Sequence, residues 1–214
     1  MDMVWAASDG LRREIFFSTR QGGTWSQPVQ ITYDNADNVA PSIDTSPDGT
    51  KFVVWTAIDE TGQHIRYATC SGSKWSAPST VPGVPNNSTG AFISVDKDGI
   101  VWIAFAGNDD GDDDIYTIRM ADKKWSKISL VHADNDAPDI DPFLEVSAEK
   151  TLQVFWEGFR EGQYLKLLAS WTGQSWLPEE RQAESPKEQI DDIEAIEIPV
   201  FVEDKSMLFT RSYQ

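Results

Sequence analysis

Five carboxylates fall within six residues, at Asp109, Asp110, Asp112, Asp113 and Asp114. Calcium takes roughly 6–8 oxygen ligands, mostly carboxylates and carbonyls, and this run is the densest supply of them in the chain. Its spacing is not that of an EF-hand loop. Further acids stand in polar stretches along the chain, at Asp9, Asp34, Asp37, Asp59, Asp134, Asp136 and Glu157. With the amides among them, such loops could recognise the hydroxyls of a glycan or a basic protein surface. Asp and Asn are also ordinary turn formers, so solvated loops would collect them in any case.

Catalysis needs stricter patterns. A glycosidase uses two carboxylates roughly 5–10 Å apart; with 35 acidic residues some pair meets that by chance, and the sequence selects none. His64 and His132 are the only histidines, and neither has a partner at metal-ligand or triad spacing. Both therefore read as structural residues. The single Cys70 excludes an intrachain disulfide and a cysteine-built zinc or redox centre. No Gly-rich phosphate loop is present in the sequence.

A net charge of −17 argues against nucleic acid, whose phosphates want Lys and Arg, and against anionic lipid surfaces. It favours a cation, a basic partner or a solvated acidic face. No apolar run approaches the roughly 18 residues needed to span a bilayer, so membrane insertion is not expected. Met1 runs straight into repeat sequence with no visible leader. The expectation is a cytoplasmic chain or a mature form of an exported one.

The elements that must position these acids are set by a repeat. Trp25, Trp75, Trp125 and Trp176 recur at intervals of 50, 50 and 51 residues. Ile15, Ile65, Ile115 and Leu165 precede them by ten or eleven, and Trp5, Trp55, Phe105 and Trp156 stand nine or ten further back. Three markers holding their offsets through four copies define a repeat architecture. Within one copy, Pro41–Thr45 reads as a strand and Asp48-Gly49 as the tip of a hairpin turn. Lys51–Ala57 and His64–Thr69 follow as β-branched and alternating strands, and Lys74–Thr80 carries the tryptophan as an outer strand. Four short strands per 50 residues is the grammar of a β-propeller blade.

The phrases Gly22-Gly-Thr-Trp25-Ser-Gln-Pro and Asn38-Val-Ala-Pro41-Ser-Ile-Asp, with Asp48-Gly49 and Val53-Val-Trp55, resemble the BNR-like, Asp-box-related repeats of sialidase-superfamily propellers. The resemblance covers nearly the whole chain. Gly and Trp keep the box spacing three times, but the box Asp is absent, and Asp122 replaces the Gly in the third copy. The resemblance implies that the four tryptophans pack blades, and that loops linking second to third strands, and blade to blade, carry any ligand. It also implies an extracellular or periplasmic setting, with a cytoplasmic one left open. Sialidases use an arginine triad, a Tyr–Glu nucleophile and an Asp acid/base; none of these maps onto this chain.

The expected fold is therefore all-β: a propeller of about four four-stranded blades, in one domain over residues 1–214. The repeats run approximately 1–40, 41–90, 91–139 and 140–197, with 198–214 supplying closing strands or a fifth, incomplete blade. The expected function is a non-catalytic module binding a glycan or protein through its acidic loops. Calcium is the candidate cation at Asp109, Asp110, Asp112, Asp113 and Asp114. The alternatives are a glycan-active hydrolase, and a scaffold that forms homo-oligomers through the surplus edge strand Ser206–Ser212.

Overall fold

The computed structural model describes residues 1–8, 10–108, 111–146 and 151–182. Four antiparallel sheets follow one another among the described residues. The first holds β1 (Asp2–Ser8), β2 (Arg13–Gln21), β3 (Thr24–Trp25) and β4 (Val29–Gln30). The second holds β5 (Asp37–Thr45), β6 (Lys51–Asp59), β7 (Gly62–Ser71), β8 (Lys74–Trp75) and β9 (Ser79–Thr80). The third holds β10 (Thr89–Val95), β11 (Val101–Gly107), β12 (Asp114–Ala121), β13 (Lys124–Trp125) and β14 (Ser129–Leu130). The fourth holds β15 (Asp139–Val146), β16 (Leu152–Arg160), β17 (Gln163–Ser170) and β18 (Glu180–Arg181). These are the four blades of a β-propeller.

Blades two to four begin with a full inner strand, whereas the first begins directly at β1, the counterpart of β6. The inner strand expected for it from residues 198–203, and the surplus strand after it, lie outside the described residues. The tryptophan strand also differs from expectation, being two short pieces rather than one. Between the pieces a serine side chain takes a ladder N–H instead: Ser26 that of Thr19 at 3.2 Å, Ser76 that of Thr69 at 3.1 Å and Ser126 that of Arg119 at 3.1 Å.

Both faces of β6 and β11 are buried, because the second and third blades each pack against two neighbours. Val53, Trp55 and Ala57 join Ile15, Phe17 and Ile31 in the core between blades one and two. Phe52 and Val54, on the opposite face of β6, meet Ile103, Phe105 and Tyr116 between blades two and three. Trp102, Ala104 and Ala106 then pack with Val154, Trp156 and Leu167 between blades three and four. This is the period-two alternation of a strand read out as two separate cores. The repeat tryptophans stitch the same joints from the outer edge: Trp75 meets Phe17 at 5.1 Å, Trp125 meets Tyr67 at 5.2 Å, and Trp176 meets Trp102 at 6.2 Å. In the third blade's turn Asp122 takes the glycine's place and still adopts the left-handed φ of 49°, a conformation Asp tolerates better than most residues.

Candidate functional site

One end of the propeller collects the residues of interest. Asp37 pairs with Ile58 and Ile58 with Gln63 in the ladders. The start of β5, the end of β6 and the start of β7 therefore lie at the same end. In the fourth blade Asp139 opposes Gly158 in the same way. Each inner strand carries a bulge just after this point, between Val39 and Ser42, Thr89 and Phe92, and Ile140 and Phe143. A bulge inserts an extra residue and re-aims the side chains beside it. Here it flanks Asn38 and Asp139, which are fully buried at the joints between blades.

The acids of this end are held by arginines. Arg13 grips Asp37 through its backbone N–H at 2.8 Å, through Nε at 2.9 Å and through Nη2. Hydrogen bonding from Arg13 holds the Asp37 carboxyl below its ordinary value. Arg66 donates to Asp34 at 2.6 Å and lies 3.8 Å from Asp59. The Asp59 carboxyl is lowered chiefly by the Thr61 hydroxyl. Arg160 bonds Glu179 through Nε at 3.0 Å and Nη2 at 2.8 Å, and its Nη2 also reaches Asp139.

Beneath this rim lie two buried clusters at equivalent repeat positions. At the first joint the Ile15 N–H donates to Thr32 Oγ1 at 2.9 Å, and the Thr32 hydroxyl donates to Glu14. Asn38 accepts the Trp55 indole N–H at 2.7 Å and donates to Glu14 and Asp34. At the third joint the Ile115 N–H donates to His132 Nε2 at 3.2 Å, and Asp139 Oδ1 accepts the Trp156 N–H at 2.8 Å. His132 Nδ1 lies 2.8 Å from the Ala133 carbonyl, which can only accept. Nδ1 therefore carries the proton and Nε2 presents a lone pair.

That lone pair faces two carboxylates, Asp139 Oδ2 at 3.4 Å and Asp114 Oδ1 at 3.5 Å. Asp114 is 1% exposed, and its Oδ1 has no hydrogen-bond partner. Burial pushes its carboxyl up to about 6; His132 opposes the shift, and the negative Asp112, Asp134 and Asp139 reinforce it. A carboxyl raised in this way suits a general acid, but burial keeps this one from any bulky substrate. Asp139 is better served: Asn135 donates to its Oδ2 at 3.2 Å. Gly158 makes room for it, since a Cβ there would stand 2.3 Å from Asp139 Oδ1. Asp114, His132 and Asp139 form the only group among the described residues whose donor atoms could jointly hold a metal ion.

The structure thus sorts the sequence-derived candidates into different environments. Asp34, Asp37 and Asp59 meet near the first joint, within the arginine network. Asp134 and Asp136 are exposed and Glu157 is half-buried. Asp113 accepts weakly from Asn108 at 3.4 Å, and Asp112 Oδ2 is buried without a partner. Among the described residues of the acidic run, Asp114 alone turns into a buried cluster; Asp9, Asp109 and Asp110 lie outside the described residues. His132, read from sequence as structural, stands at the centre of that cluster because Asp139 arrives from the next blade. Sequence reasoning also passed over an open groove of about 580 Å³ on the outer rim between blades one and two. Gln30, Tyr33, Asp34, Lys74 and Trp75 line it, and Tyr33 is 77% exposed.

The sequence matches no protein-family model and no curated protein. Its fold is similar to that of solved structures. One, a protein of unknown function from Dyadobacter fermentans, aligns with a TM-score of 0.62 at 16% identity, over 80% of this chain and 58% of that one. An endo-arabinase from Bacteroides thetaiotaomicron aligns with a TM-score of 0.57 at 15% identity, over 83% of this chain and 74% of the enzyme. A Hadza microbial sialidase aligns with a TM-score of 0.57 at 16% identity, over 80% of this chain and 41% of the sialidase. The chain thus spans less than two thirds of the first and last of these proteins. At such identities the likeness is one of fold: the chain is a β-propeller built like those of sialidases and glycoside hydrolases.

Proposed function

We propose that the chain is a non-catalytic propeller that binds a glycan in the groove between its first two blades. The observation that carries this reading is the groove's lining. Tyr33 offers an exposed ring for stacking on a sugar face, beside Gln30, Lys74 and an Asp34 carboxylate already fixed by Arg66. An aromatic platform flanked by pre-positioned polar groups suits a polyol, whose hydroxyls both donate and accept. The arginine pairs weigh against a basic protein partner, because Asp34, Asp37 and Asp139 already have their counter-charges. The glycan-active names among the proteins of similar fold support sugars as the ligand class, and an extracellular or periplasmic setting would present them.

A glycan array probed with the whole chain tests this directly. Selective binding is expected, weakened at least about tenfold in Tyr33→Ala, the loss of roughly 1.4 kcal/mol. Binding that is unaffected by Tyr33→Ala would remove the groove as its site. Turnover of a bound glycan would replace the binding reading with a hydrolytic one.

A further inference from the structure

We propose that Asp114, His132 and Asp139 form a binding site for a divalent transition cation of the zinc class. The site is separate from the groove and does not depend on the glycan reading. Zinc takes nitrogen and oxygen ligands at roughly 2.0–2.2 Å in a tetrahedral shell, which sets neighbouring ligand atoms about 3.3–3.6 Å apart. His132 Nε2 lies 3.4 Å from Asp139 Oδ2 and 3.5 Å from Asp114 Oδ1. The third separation falls within the 4.8 Å that encloses all three donor atoms. The spacing fits a ligand shell.

The charges point the same way. His132 Nε2 accepts the Ile115 N–H and stands against two carboxylate oxygens, Asp139 Oδ2 and Asp114 Oδ1. Asp114 Oδ1 is buried with no hydrogen-bond partner, an arrangement that costs stability unless a cation compensates it. The outer shell is already that of a metal site. The His132 Nδ1–H is fixed by the Ala133 carbonyl, and the Trp156 ring stacks on the imidazole at 5.5 Å. Asp139 is oriented by Trp156, Asn135 and Arg160. Such partners fix tautomer and ligand direction. Asp112, with its own buried and unpartnered oxygen, adds a further carboxylate nearby.

Calcium fits this set poorly, because it wants roughly 6–8 oxygens and one of the three donors is an imidazole nitrogen. On binding, the cation takes the Nε2 lone pair from the Ile115 N–H, and no covalent bond of the protein is broken.

The test uses the full chain, stripped with chelator and dialysed against zinc, manganese or calcium in turn. One retained equivalent of zinc and a higher Tm are expected, with calcium giving neither. Asp114→Asn and His132→Gln should each weaken zinc beyond the roughly 10–100-fold that loss of an outer-shell partner costs, while His64→Gln should leave it unchanged. Should His132→Gln fail to fold, cobalt absorption of the wild-type chain decides, since a four-coordinate site gives intense visible bands. No retained zinc, retention undiminished in Asp114→Asn, or an octahedral cobalt spectrum would overturn the proposal.

Discussion

The first and third joints between blades share one hydrogen-bond frame and fill it with different chemistry. In each, a backbone N–H on the strand after the hairpin donates to a side chain seventeen residues on, Thr32 or His132. In each, an indole N–H donates to a buried side chain seventeen residues back, Asn38 or Asp139. The first joint completes itself, because Thr32 and Asn38 both supply hydrogens to Glu14. The third replaces those donors with a histidine lone pair and a second carboxylate, and Asp114 Oδ1 is left without a partner. The second joint, with His64, Pro82, Ser88 and Phe105 at the matching positions, offers no indole and only one ionisable side chain there. A repeat scaffold can thus hold geometry constant while single substitutions turn a structural contact into a candidate site.

The largest effect should come from removing the shared anchor of the third joint. Asp139→Ala strips partners from Trp156, Arg160 and Asn135, and breaking a buried charged pair costs about 3–5 kcal/mol. Asn38→Ala at the first joint removes a neutral partner and should cost about 1–3 kcal/mol. Urea denaturation of the two variants compares them, and equal losses would mean that the joints differ in name only.

The acids that follow should differ in sign. Glu14→Leu orphans Thr32 and Asn38 and should destabilise the chain by about 1–3 kcal/mol. Asp114→Asn in metal-free protein at neutral pH removes an uncompensated charge and should stabilise it. A matching loss in both variants would show that Asp114 is satisfied after all.

The dependence on pH sharpens the same contrast. The folded-state value of Asp114 is raised from 3.8 to about 6, so between these values the folded chain binds the extra proton. Its contribution is fully present below about pH 4 and is lost as pH rises through about 6. The Tm of metal-free wild type should therefore fall across that window relative to Asp114→Asn. Asp37, lowered by Arg13, works in the opposite direction, losing its contribution as pH falls through its folded value. The smallest stability effect belongs to exposed Tyr33, whose replacement by Ala should stay within about 0.5 kcal/mol while glycan binding drops.

Much of the fold was legible because blade packing imposes side chains at fixed offsets. Trp75, Trp125 and Trp176 each meet an aromatic residue of the preceding blade, and that contact is what holds the 50-residue spacing. The third-joint cluster was not legible from spacing, because Asp114 and His132 share one blade and Asp139 is delivered by the next. The signal lay in alignment of the repeats with one another. Glu14, His64 and Asp114 fall in register, as do Thr32, Pro82 and His132, and Asn38, Ser88 and Asp139. Only the third joint's members, Asp114, His132 and Asp139, are ionisable throughout. The groove at Tyr33 left no such trace, since it depends on how one outer strand leans on its neighbour.

A zinc-soaked crystal measured for anomalous scattering would test the contrast between the joints most directly. One strong peak should lie roughly 2.0–2.2 Å from Asp114 Oδ1, His132 Nε2 and Asp139 Oδ2, with none beside Glu14, Thr32 and Asn38. A map with no peak at the third joint, or with peaks only on surface carboxylates, would contradict it.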